Sequence, residues 1–436
     1  MDKDTLKPSV NFPKVVIIGG GFGGIQLTKS LKHKEVSILM LDRHNYHTFQ
    51  PLLYQVATGG LEADSIAFPL RKIFKGQKNF LFRNADVETI VPERKVIVTS
   101  VGEYAYDYLV IATGSDSNYF GSKDLEHFTM PMKTIPESLN LRSMILQNLE
   151  ESLVEKDPTN KAALLNFVIA GGGPTGVEMA GSIAELKKHV LKKDYPELDI
   201  NTLNIYLVEG SPEVLGPMSK KSQLGAKEFL EEMGVTVLLN TRVTSYDGEK
   251  LVLSTNQEIY TKNVLWSAGV RGVMPDGIPM DKFVRGGRVK VDEYNRVDGY
   301  TDIFAIGDVA AMSTDGYQNG HPGVAPVAMQ QGRLLSKNLI RLLNKEPLVP
   351  FKYKDKGSMA TIGRNKAVVD IGKIHFQGIF AWFVWMFVHL MSLVGYRNRI
   401  IVLVNWVWSY FSYDRGSRLI IRPFNRESMT EKTDNK

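Results

Sequence analysis

The chain has 436 residues and no cysteine. That absence excludes disulfide staples, thiol nucleophiles, thiolate zinc sites, cysteine-ligated iron–sulfur clusters and dithiol redox shuttles. If the protein moves electrons, an organic cofactor must carry them. A second shortage is local: between Asp370 and Asp414 there is no acidic residue, and only Lys373, Arg397 and Arg399 are basic. A secretory signal is also missing, since Met1 to Pro13 is polar and the apolar run Val15–Ile18 ends in glycines. The expected location is therefore the cytoplasmic side. What is present is ordinary for folded protein: 43% apolar and 23% charged residues, which exclude global disorder and, at this length, predict two or three domains. The net charge of +6 suits an anionic nucleotide or an acidic lipid surface, and supports no nucleic-acid partner.

One motif occurs twice. Val15-Val16-Ile17-Ile18-Gly19-Gly20-Gly21-Phe22-Gly23-Gly24 reads as strand, G-x-G-x-x-G, helix, and Phe167–Gly176 repeats it 152 residues later. Each strand is β-branched and predicted to be buried on both faces, as parallel sheets require. The glycines Gly19, Gly21 and Gly24, and likewise Gly171, Gly173 and Gly176, serve the sharp turn, the close approach of a pyrophosphate and the packing of helix on strand. The pyrophosphate then meets the helix N-terminus, where unpaired N–H groups favour anions. A second apolar strand follows each copy and ends in an acid: Asp42, 18 residues past Gly24, and Glu209, 33 residues past Gly176. Either acid can accept hydrogen bonds from a ribose hydroxyl pair; alternatively, each simply caps its strand.

Two dinucleotide sites point to two dinucleotides, and a flavin with a nicotinamide is the pairing that does chemistry. Tyr108–Gly114, carrying Ala112 and Thr113, reads as a buried strand into a tight turn. Thr301–Asp308 is another strand, with Asp308 placed to reach a ribityl hydroxyl or to cap the segment from Val309 onward. The predicted fold is α/β: two Rossmann-like dinucleotide-binding domains, the second inserted into the first, plus a C-terminal membrane-associating helical segment. The expected boundaries are 1–157 with 282–350 for the first, flavin-binding domain, 158–281 for the inserted nicotinamide-binding domain, and 351–436 for the membrane-associating carboxyl-terminal region.

The chain resembles the type II NADH:quinone oxidoreductases, the single-subunit, non-proton-pumping NADH dehydrogenases. The most specific stretches are Asp42–Ala57, Ala170–Glu178, Ala325-Pro326-Val327-Ala328-Met329-Gln330-Gln331-Gly332 and Met359–Arg364. Disulfide reductases and sulfide:quinone reductases need redox cysteines and are excluded. The resemblance implies FAD at Gly19, Gly21, Gly24, Asp42, Ala112, Thr113 and Asp308. It implies NADH at Gly171, Gly173, Gly176, Glu209, Ala268 and Gly269. Glu209 would repel the 2′-phosphate of NADPH, and no arginine follows it in Gly210-Ser211, so NADH is the expected donor. Glu178, in the second helix, aligns with Gln26 of the first copy; the family places an acid here near flavin and nicotinamide, and the plainer reading is an acid in a helix's first turn. Gln330 and Gln331 lie where the family meets the quinone, or are ordinary helix residues. His44 and His47 have no evident third ligand, so no metal is expected; Tyr46 and His47 are expected to shape the loop under the flavin ring.

Four of the five tryptophans fall in the acid-free stretch: Trp382, Trp385, Trp406 and Trp408. Ile379–Val394 has 14 apolar residues of 16, and Ile400–Phe411 has 10 of 12. As helices these runs cover about 24 Å and about 18 Å, against a hydrocarbon core of ~30 Å. A single span would put Arg397, Arg399, Arg415 and Arg418 across the membrane from the nucleotide domains, against the positive-inside tendency. Trp-rich helices flanked by arginines suit the headgroup region instead. Monotopic attachment at the cytoplasmic face of the inner membrane is expected; the alternative is an internal or homodimer-interface helix pair. The expected activity is hydride transfer from NADH to FAD and two-electron transfer to a membrane quinone without proton pumping. An NADH-dependent reductase of a soluble acceptor, and an NADH-sensing flavoprotein of the apoptosis-inducing-factor type, remain open.

Overall fold

The computed structural model describes residues 12–412, 416–420 and 424. Asp414 and Arg415, which bound and follow the acid-free stretch, lie outside them. The chain packs as two compact units: 1–47 with 68–116 and 270–355, and 48–67 with 117–269 and 356–436. Residues 48–67 and 117–157, grouped by motif with the FAD-binding part, thus pack with the second unit.

The first unit is built on a five-stranded parallel sheet in the order Ile303–Ala305, Tyr108–Ile111, Lys14–Ile18, Ser37–Asp42, Phe80–Asn84. Its central strand shows why the sequence reads as an unbroken β-branched run. Val15 and Ile17 enter one apolar cluster and Val16 and Ile18 the other, so both faces are covered. Chain order reverses beside this strand, and the fingerprint helix Phe22–Ser30 starts at its carboxyl end, the switch point where open α/β sheets hold ligands. The long helix Ala325–Leu343 lies against that helix.

The second unit repeats the plan with a four-stranded parallel sheet: Val235–Leu238, Asn204–Val208, Asn166–Ala170, Asn263–Trp266. Its fingerprint helix is Pro174–Glu185, opened by a proline that a first helical turn tolerates. An antiparallel sheet of Ser358–Gly363, Lys366–Ile371 and Ile374–Gln377 follows. The chain then forms two helices, Ile379–Ser392 and Tyr396–Ser412.

One close approach positions the site. A Cβ on Gly181 would stand 1.6 Å from the Ile362 carbonyl oxygen. Only glycine lets the helix Pro174–Glu185 lie directly on the strand Ser358–Gly363, and that crossing brings Glu178 to Thr361.

Candidate active site

In the first unit, Asp42 ends its strand facing back into the fingerprint. Its carboxylate accepts from the Gly20 N–H at 2.6 Å and the His44 N–H at 2.7 Å. Burial raises its pKa, while those two amides and the nearby His44 and Arg43 oppose the rise. Among the described residues outside its chain neighbours and its own helix backbone, none lies within 4 Å of where a Gly21 Cβ would be, so the loop presents bare backbone at the helix start. That cradle, with an acid beside it, fits the pyrophosphate and ribose of a dinucleotide.

Asp308 accepts from the Ser115 hydroxyl at 2.7 Å, and Thr113 Oγ1 donates to the Val273 carbonyl. The Ala112 carbonyl is the atom a Gly19 side chain would strike. Gln331 is buried, and its Oε1 accepts from the Gly307 N–H at 2.7 Å, which fixes the turn carrying Asp308. Gln330 spends both ends of its amide on the Lys354 backbone, at 2.9 and 3.0 Å. His47 is buried with Nδ1 on the Gly20 carbonyl at 3.2 Å and Phe22 edge-on at 5.0 Å. Burial pushes its pKa down to about 4, so it is neutral.

The second unit repeats the acid geometry. Glu209 accepts from Gly172 N–H at 2.6 Å and Ser211 N–H at 2.7 Å. Gly173, like Gly21, faces open space. Gly171 turns against Ser267 and Ala268, and the Gly269 carbonyl accepts from the Asn118 N–H. Arg242 was not visible as a neighbour from the sequence. Its side chain lies over Gly210, with Nε 3.2 Å from where a Cβ would stand. The separation of 32 residues hides this; only the return of the chain from the adjacent strand Val235–Leu238 reveals it.

A cavity of about 100 Å³ lies elsewhere in the second unit, walled by Tyr54, Glu178, Thr361, Trp382, Trp385 and Trp406 among others. Glu178 is fully buried, and burial raises its pKa to about 8. The Thr361 N–H, 3.5 Å away, opposes this only weakly. The indole N–H of Trp385 also favours the charged form, but it makes no hydrogen bond of ordinary geometry. Glu178 therefore carries a proton at neutral pH. Around it the polar groups are paired: Thr58 and Ser182 hydroxyls at 2.8 Å, Gln55 Nε2 to Tyr54 Oη at 2.8 Å, and Trp406 Nε1 to Gln55 Oε1 at 2.8 Å.

The last two helices turn their polar and aromatic side inward. Asn398 donates to the Ala67 carbonyl at 2.9 Å and Asn405 to Glu62 at 2.8 Å, while Trp385 stacks on His389 at 4.1 Å. Outward they present Phe380, Phe383, Phe387, Trp408 and Phe411, with Phe380 78% and Phe411 80% exposed. Among the described residues no helix is long and apolar enough to cross a membrane.

Residues 13–332 match the family model for pyridine nucleotide-disulphide oxidoreductases, and the chain belongs to that class, having kept its two-nucleotide scaffold without any redox cysteine. Residues 356–412 match the NDH2 C-terminal domain. The chain is 36% identical over 425 residues to a type II NADH:quinone oxidoreductase of Mycobacterium tuberculosis, covering 93% of this chain and 90% of that one. It is 29% identical to a mitochondrial internal alternative NAD(P)H-ubiquinone oxidoreductase of Arabidopsis thaliana, with 91% and 84% covered. The structure of NDH2 from Plasmodium falciparum in complex with NADH shares the fold, with a TM-score of 0.85 at 22% identity and 93% and 99% coverage. Within its class, the chain is a member of the type II NADH:quinone oxidoreductase family.

Proposed function

We propose that this protein oxidises NADH and reduces a membrane quinone, with FAD as resident cofactor and no proton pumping. The observation that carries the reading is Glu178: a buried, protonated acid on the NADH fingerprint helix that faces a cavity roofed by tryptophans of two outwardly apolar helices. FAD is held by Gly19, Gly21, Gly24, Asp42, Ala112, Thr113 and Asp308, with Gln331 fixing the Asp308 turn. NADH is held by Gly171, Gly173, Gly176, Glu209, Ala268 and Gly269, which divides the chain by ligand at about residues 158 and 281. When bound, FAD supplies the two-electron carrier that takes hydride from a nicotinamide and returns electrons to a quinone.

The chain's own contribution is placement and proton control. Asp42 and Glu209 orient the riboses, and bare glycine backbone seats the pyrophosphates. The polar groups of the cavity wall are paired with one another, and Glu178 holds a proton at its carboxyl beside the space an acceptor ring would enter. Within the first unit Gln331 keeps its NH2 group for a ligand, whereas Gln330 acts as an anchor for Lys354. The helices Ile379–Ser392 and Tyr396–Ser412 rest monotopically in the headgroup layer of the cytoplasmic face, where Arg397 and Arg399 meet anionic lipid.

The test uses the full-length protein in mild detergent. Stopped-flow mixing with NADH should bleach a yellow FAD spectrum, and ubiquinone-1 should restore it within one turnover. A colourless protein, or a bleached flavin that quinone leaves reduced, overturns the reading. Sedimentation with phosphatidylglycerol vesicles tests the membrane arm; a dimer that ignores vesicles would mean that a second copy covers the exposed helices.

A further inference from the structure

Tyr396–Ser412 ends in a problem that the sequence creates for itself. The last four carbonyls of any helix lack partners within it. Here they lie at the end of a helix whose outer side is apolar, where an unpaired carbonyl is costly. Arg364, at the end of the strand Ser358–Gly363, answers this. Its guanidinium donates to the Ser409 carbonyl at 2.6 Å and to the Tyr410 carbonyl at 2.8 Å. Its plane also lies over the Tyr410 ring, 5.0 Å from the centroid.

The contact continues on both sides. Tyr410 lies against Trp382 of the preceding helix, with centroids 5.6 Å apart. On the other side, the Arg364 backbone N–H donates to Glu185. Glu185 sits two turns beyond Glu178 on the same face of the fingerprint helix. One residue thus ties the helix that carries the buried acid to the ends of both aromatic helices that roof the cavity. A cation at a helix C-terminus also complements the macrodipole. Arginine is suited to this place because its planar fork reaches two carbonyls while its face stacks, whereas a lysine is a single point charge.

We propose that Arg364 is a positioning residue for quinone reduction, holding the Trp382, Trp406 and Tyr410 wall at its working distance from Glu178. The proposal rests on the quinone-reductase reading above and adds to it a residue outside both glycine fingerprints. Arg364→Gln should leave flavin bleaching by NADH unchanged and raise KM for ubiquinone-1 by about tenfold, with a smaller change in kcat. Arg364→Lys should fall between wild type and Arg364→Gln.

Four of the five tryptophans lie in the two helices, so a loosened wall should shift tryptophan emission to longer wavelength. Tyr410→Leu, which removes the stacked face and leaves the guanidinium, should move the same two readouts in the same direction. Unchanged quinone KM and unchanged emission in Arg364→Gln and Tyr410→Leu overturn the proposal. So does a KM rise accompanied by slowed flavin bleaching, because that signals a general structural loss. The emission arm needs no quinone turnover. A wild type that fails to reduce quinone, with an emission shift in Arg364→Gln, sinks the functional reading and leaves standing only that Arg364 holds the aromatic wall in place.

Discussion

Asp42 and Glu209 occupy equivalent places in their two sheets: each carboxylate takes one bond from the glycine between the first two fingerprint glycines, Gly20 or Gly172, and one from the amide two residues downstream. The distances are 2.6 and 2.7 Å in both. A carboxylate has about four acceptor sites, so each acid keeps room for ribose hydroxyls while its orientation is fixed by backbone.

On the proposed reading, Glu209 sets donor choice together with Arg242. In Glu209→Gln the negative charge that repels a 2′-phosphate is gone, and the guanidinium over Gly210 is left to attract one. The ratio of kcat/KM for NADH over NADPH should fall by roughly tenfold to a hundredfold, in line with about 1.5–3 kcal/mol for a hydrogen bond to a charged group. Adding Arg242→Ala should recover part of that discrimination. Steady-state kinetics with both donors measures it.

The two fingerprints can be disabled separately. A Cβ on Gly24 would stand 2.0 Å from the Gly19 carbonyl oxygen, and one on Gly176 would stand 1.8 Å from that of Gly171. Gly24→Ala should purify with little or no flavin. Gly176→Ala should remain yellow and show KM for NADH raised at least about tenfold, since a forced backbone shift costs about 1–3 kcal/mol. Absorbance near 450 nm, on the order of the usual flavin band, and NADH titration separate the two.

Glu178 gives stability a pH slope of defined sign. Its pKa, about 8 when folded, lies above its ordinary value of 4.5 because burial disfavours the charge. Between those limits the folded chain holds a proton that the unfolded chain has released, so stability falls as pH rises and levels off above 8. The total is on the order of a few kcal/mol. His47 and His389, both pushed down to about 4 by burial, act oppositely: their contribution is complete above about 6.5 and is lost as pH falls to 4. The clean window for Glu178 is therefore pH 6.5 to 8. Melting curves there should decline for wild type and stay flatter for Glu178→Gln.

The exposed aromatics should bind vesicles without holding the fold. Phe387 is 65% exposed and Phe380 more so. Replacing both with aspartate should abolish co-sedimentation with anionic vesicles. The melting temperature should stay within about 2 °C, because exposed substitutions rarely change stability by more than about 0.5 kcal/mol.

Much of the fingerprint geometry was legible because it is local. A fingerprint, its strand and the acid ending the next strand lie within one βαβ stretch, so spacing alone places Gly19, Gly21, Gly24 and Asp42, and their counterparts. The cavity beside Glu178 was not legible in the same way. Glu178, Thr361 and Trp385 are far apart in sequence, and their meeting depends on Gly181 lying flush against Ile362. The same holds for Arg242 over Gly210. Gln330 and Gln331 are adjacent in sequence, yet the structure gives them different work: one amide is used up on Lys354 and the other steadies Gly307. Residue type suggested amides for a ligand, and only the fold shows which amide has a group left over.

The final helix is apolar on both sides: Asn398, Val402 and Trp406 are buried against the body of the protein, while Leu403, Val404, Val407, Trp408 and Phe411 are exposed. Water presses that inner row home but supplies no driving force for covering the outer one. An apolar phase on its outer side does, and acts as a ligand for the folded form alone, stabilising it by mass action. Lipid or detergent would then be a folding partner of the carboxyl-terminal region, and the melting temperature of the whole chain should climb with the amount supplied.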